Sequence, residues 1–104
     1  MDSKPKLEIS PVHWAIVADI LTRHLPYTTV WAFGSRARFT TKPYSDLDLA
    51  IIGDAPLSLS EVAALEHDFT ESALPFKVDI VDWATTSEAF RDIIRQTHVV
   101  VWPV

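Results

Sequence analysis

The stretch FGSRARFTTKPYSDLDLAI, residues 33–51, decides how the rest of the chain is read. From Asp46 to Ile52 it alternates like a half-buried strand, and alternate side chains of a strand share a face. Leu47, Leu49 and Ile51 therefore point to a core, while Asp46 and Asp48 point together the other way. Two carboxylates about 7 Å apart along one strand repel each other and resist desolvation unless a cation lies between them or water reaches both. A magnesium ion, which takes carboxylate and phosphate oxygens, resolves the conflict. The plainer alternative is a turn residue followed by a solvated charge.

The upstream half supplies the complement. Thr28 to Phe33 is β-branched and aromatic, and is expected to form a strand that stops at Gly34. Glycine lets a backbone approach a ligand closely, and a short helix or turn over Ser35–Thr41 would aim free N–H groups at an anion. The Ser35 hydroxyl could bond a phosphate, and Arg36 and Arg38, helped by Lys42, could neutralise a polyphosphate. Alternatively, Gly34 only ends a strand and the arginines pair with surface acids.

Working outward, Ser10-Pro11 is a helix opening, with Ser10 as cap and Pro11 at the first helical position. Trp14, Val17, Ile20, Leu21 and Leu25 follow at helical spacing up to Pro26. Leu57–Ala73 is a second long helix, opened by the Ser58/Glu61 pair of a capping box and ended by Pro75. Phe76–Val81 is a third strand, Thr85 with Glu88 opens another helix, and Val99–Trp102 is a closing strand. This alternation predicts an α/β (α+β) fold in one domain spanning 1–104: a small mixed sheet of about four strands flanked by helices. The third strand carries Asp79. Paired beside the Asp46/Asp48 strand, it would bring a third carboxylate, and three carboxylates suit two metal ions about 4 Å apart for displacement at phosphorus. Asp82, at that strand's end, reads as a solvated or helix-capping residue.

The composition bounds the alternatives. At 104 residues with 48% hydrophobic and 22% charged side chains, the chain has enough apolar surface for one modest core. A net charge of −5 argues against a module built to grip nucleic acid, but leaves nucleotides as ligands. There is no cysteine, hence neither a disulfide nor a thiolate metal site, and the expected setting is cytoplasmic. No window approaches the roughly 20 apolar residues of a membrane span. His13, His24, His67 and His98 lack ligand spacing and are expected at the surface or satisfied internally. Most of the four tryptophans are expected in the core.

Gly34-Ser35, ten intervening residues, Asp46-x-Asp48 and then a single Asp79 in a following strand form a fixed pattern. It resembles the DNA polymerase beta-like nucleotidyltransferase superfamily, and the GSRAR and SDLDLAI stretches look most like its minimal nucleotidyltransferases, the MNT proteins. The resemblance runs from the first helix to the closing Val-Val-Val-Trp. It implies that Gly34 and Ser35 bind the terminal phosphates of a nucleotide, with Arg36 and Arg38 assisting. It also implies that Asp46 and Asp48 hold magnesium while Asp79 completes the metal site and activates the attacking hydroxyl.

MNT proteins typically act as antitoxins, moving AMP from ATP onto a tyrosine of a partner HEPN-domain toxin. In that family the GSRAR stretch is commonly followed by glycine, and here Phe39 stands in its place. Two other activities fit the same residues: an antitoxin that neutralises by binding alone, and an aminoglycoside-type small-molecule nucleotidyltransferase. The short chain, without an acceptor-holding domain, favours a protein acceptor that brings its own docking surface. No direct nucleic-acid or membrane contact is expected.

Overall fold

The structure is a computed structural model that describes residues 4–103. Along the chain lie α1 (Pro11–His24), β1 (Val30–Phe33), α2 (Ser35–Arg38), β2 (Leu47–Ile51), α3 (Leu59–Glu71), β3 (Val78–Asp82), a 3-10 turn (Trp83–Thr85), α4 (Glu88–Thr97) and β4 (Val99–Trp102). The strands form one mixed sheet in the order β3-β2-β1-β4. β1 is antiparallel to both β2 and β4, whereas β2 and β3 run parallel. Parallel neighbours need a crossover, and α3 provides it between β2 and β3. The expected mixed sheet with flanking helices is the observed fold.

The helix signals act locally as their chemistry dictates. Ser10 accepts from the His13 N–H, and Pro11 occupies the first turn of α1. At α3 both arms of the capping box close: Glu61 N–H donates to Ser58 Oγ at 3.0 Å, and Ser58 N–H donates to Glu61 Oε1 at 2.9 Å. The cap of α4 differs from expectation, because Ser87 rather than Thr85 accepts from the Phe90 N–H. Asp82 is the cause. Its carboxylate accepts from Ala84 N–H and from Leu57 N–H, so the chain turns once through Trp83–Thr85 before α4 can start. Asp82 is thus the capping residue of the two readings given for it.

β2 alternates as its sequence demands. Leu47, Leu49 and Ile51 face α1 and α3 in a core with Val17, Leu21, Val30, Leu65 and Phe69. Ala50, on the opposite face, joins Phe33 and Ile94 under α4. Trp14 and Trp102 are buried in the larger core, and the Trp102 indole N–H donates to the Leu25 carbonyl at 2.8 Å. Trp31 and Trp83 are half-buried, edge to face on the α4 side, with His98 stacked on Trp31. His24 is satisfied by Asp68 of α3 at 2.6 Å. Among the described residues no helix is long and apolar enough to cross a membrane.

Candidate active site

Asp48 sits on the α4 side of the sheet, with Phe33 of β1 opposite it and Asp79 of β3 in register on its other flank. Because β2 and β3 are parallel and in register, the two carboxylates project from one face on neighbouring strands. Asp46 lies one residue before the first residue of β2 and is exposed, so it is not the strand residue that the alternation suggested. Its charge still reaches Asp48. Burial first, then the Asp79 and Asp46 charges and a hydrogen bond with Asp79, push Asp48 up to about 6, while Arg38 pulls the other way. Asp48 therefore feels both other acids and Arg38. Lys77, two residues before Asp79 on the same edge, brings its Nζ to 3.3 Å from Asp79 Oδ1.

Gly34 is required here for two separate reasons. Its φ of 75° with ψ of −156° is a backbone state that other residues avoid. A Cβ added to it would lie 2.3 Å from Asp48 Oδ2. The Gly-Ser turn and the central carboxylate are thus in direct apposition. Immediately after the turn, α2 ends at Phe39, whose φ of 57° and ψ of 43° are left-handed and whose N–H donates to the Ser35 carbonyl. This is the helix-ending conformation that glycine adopts most easily. The turn keeps that shape with phenylalanine, at a backbone cost of about 1–2 kcal/mol.

Arg36 departs from the expectation that it assists the phosphates. It is 8% exposed, and its guanidinium donates to the carbonyls of Ser45 and Glu8 and lies over the Phe76 ring. Burial lowers its pKa against the pull of Glu8 and Asp46. A planar cation on the inward side of a short amphipathic turn finds carbonyls and an aromatic face there, whereas Arg38, two residues on, stays in solvent. Lys42 is exposed, and its backbone N–H donates to Ser45 Oγ. The roles of Glu8, Ser45 and Phe76 around Arg36 left no local trace in the sequence. Lys77 could have been found, since residues two apart on a strand share a face.

The carboxylates supply the hard oxygen donors that magnesium takes, and a divalent cation would relieve both the burial and the neighbouring charges that raise Asp48. Among the described residues no three such side chains converge tightly enough to close a metal centre by themselves. Magnesium is commonly held by only one or two carboxylates, with phosphate and water completing its shell, so the donor set fits it.

The polymerase beta nucleotidyltransferase family matches residues 16–103, and the chain belongs to it. It is therefore a nucleotidyltransferase of the minimal type. A probable protein adenylyltransferase MntA of Haemophilus influenzae is 52% identical over 101 residues, which cover 97% of this chain and 89% of that relative. Among solved structures, a toxin–antitoxin complex crystallised with AMP-PNP superposes with a TM-score of 0.72 at 23% identity, covering 88% of this chain and 73% of the other. A complex of tri-AMPylated Shewanella oneidensis HEPN toxin with MNT antitoxin gives 0.66 at 20% identity, covering 89% and 71%. These two likenesses establish the shared fold.

Proposed function

We propose that this chain is a magnesium-dependent adenylyltransferase that transfers AMP from ATP to a hydroxyl, by preference a tyrosine, of a HEPN-type toxin and thereby serves as its antitoxin in the cytoplasm. The observation that carries the reading is the apposition of the Asp48/Asp79 pair with the Gly34-Ser35 turn. The name of the Haemophilus relative supports AMP as the group moved, and the toxin–antitoxin complexes support the kind of partner.

In this reading the Gly34-Ser35 turn holds the terminal phosphates through its N–H groups and the Ser35 hydroxyl. Arg38, exposed beside Asp48, offsets their charge. Asp46, Asp48 and Asp79 would hold magnesium, two ions in the full arrangement, which when bound would neutralise phosphate charge and orient the reacting oxygens. Asp79 accepts the proton of the acceptor hydroxyl in this reading. That oxygen bonds the α-phosphorus, the bond to the β-phosphate oxygen breaks, and pyrophosphate leaves.

The test is co-expression with the candidate toxin followed by intact-mass measurement. One or more added AMP units are expected with wild type, and none with Asp46→Ala or Asp48→Ala. Full neutralisation by both variants without added mass would mark an antitoxin that acts by contact alone. Labelling of an aminoglycoside and not of the toxin would overturn the choice of acceptor.

A further inference from the structure

Asp48 and Asp79 are held by the sheet, since both lie inside paired strands. Asp46 is not. It precedes the first ladder residue, and the nearest sheet bond is the Leu47 N–H to the Lys77 carbonyl at 2.9 Å. A carboxylate on a loop end needs another restraint if it is to work with two that are fixed, because small misplacements of charged ligands are costly.

Arg36 provides that restraint. Its Nε and Nη2 both donate to the Ser45 carbonyl, at 3.0 and 2.9 Å, and this carbonyl belongs to the peptide group that joins Ser45 to Asp46. Its Nη1 donates to the Glu8 carbonyl at 2.7 Å, and Cζ lies 3.9 Å from the centre of the Phe76 ring. Glu8 returns two bonds: its N–H donates to the Arg36 carbonyl at 2.9 Å, and its Oε1 accepts from Thr41 N–H at 3.2 Å. One guanidinium thus joins the segment before α1, the motif helix, the loop that delivers Asp46 and the run into β3.

We infer that Arg36 is a positioning residue that fixes the Ser45–Asp46 peptide and so sets the divalent-cation affinity of the aspartate group, without touching the nucleotide. This rests on the reading of Asp46 as a metal ligand. A lysine keeps the charge but cannot place two donors on one carbonyl and a third on another, so it does not substitute.

The experiment measures Mn2+ binding by electron paramagnetic resonance of the free ion for wild type, Asp46→Asn, Arg36→Lys and Phe76→Leu, with circular dichroism confirming the fold of each. Arg36→Lys is expected to weaken Mn2+ binding about tenfold, in the range seen when residues behind a metal ligand are removed. Phe76→Leu, which loses the ring but keeps every hydrogen bond, is expected to weaken it about two- to threefold by the same logic. The double variant Arg36→Lys/Asp46→Asn should bind no more weakly than Asp46→Asn alone. In turnover, the loss of kcat in Arg36→Lys should shrink as metal concentration rises toward saturation, while KM for ATP stays near wild type.

Unchanged Mn2+ affinity in folded Arg36→Lys, or a raised KM with affinity intact, overturns the inference while leaving Asp46 as a ligand. Should Arg36→Lys fail to fold, unchanged affinity in Phe76→Leu overturns it. Equal affinity in wild type and Asp46→Asn removes the metal reading itself and the inference with it.

Discussion

Asp48 and Asp79 occupy matched positions on parallel strands, and burial first, then the charge of Asp79, keeps Asp48 from ionising at its ordinary pH. A carboxyl whose folded pKa exceeds its unfolded value binds its proton more tightly in the native state. The stability that Asp48 contributes therefore falls as pH rises from its unfolded value of 3.8 to about 6. In chelator, Asp48→Asn should match wild type at about pH 4 and exceed it above about pH 6 in urea midpoint. A midpoint difference that stays constant across that interval would show Asp48 to be unperturbed. With nucleotide and millimolar magnesium, wild type should regain the deficit, because ligands that bind only the native state stabilise it.

Gly34→Ala should abolish transfer and destabilise the fold by at least ~2 kcal/mol, from the disfavoured backbone state and from its Cβ meeting Asp48 Oδ2 at 2.3 Å. The two causes separate in a double-mutant cycle. In an Asp48→Ala background the contact is gone and only the backbone term remains, so Gly34→Ala should cost less there. Equal costs in both backgrounds, read from chemical denaturation, would place Asp48 away from the turn.

Phe39 is 57% exposed and left-handed. Phe39→Gly should stabilise the protein by about 0.5–1 kcal/mol, the relief of the left-handed backbone less the extra freedom of glycine in the unfolded chain. In a domain of this size that is a rise in Tm of roughly 3–6 °C. Phe39→Ala, which keeps the strain, should give no such rise. The turn retains its shape in wild type, so Phe39→Gly should leave catalytic competence intact.

Ser58→Ala removes the capping box of α3 and should cost about 1 kcal/mol while leaving the extent of AMP transfer unchanged. A loss of transfer in proportion to stability, followed by mass measurement across temperature, would tie α3 to the site more closely than its distance in the chain suggests.

Much of the architecture was legible because its signals are local. Ser10-Pro11 and Ser58/Glu61 announce helix starts through bonds to N–H groups three residues away, and Leu47, Leu49 and Ile51 mark the core face by simple alternation. Thr85 does not cap α4 for a non-local reason: Asp82 reaches back to Leu57 as well as forward to Ala84, and these two hydrogen bonds fix the extra turn. Arg36 and Arg38 look alike in sequence, yet one is buried against Phe76 and the other is solvated.

The order of residues by itself determined most of the elements and the core face of the strand that bears Asp48, since each follows from periodicity or from capping bonds within a few positions. Tertiary structure alone decided that β3 pairs with β2 in the register that sets Asp79 against Asp48, and that Arg36 turns inward to clamp the peptide ahead of Asp46. The physical reason is that strand register and the burial of a charge are settled by partners far away in the chain, after the crossover helix and the N-terminal segment have packed.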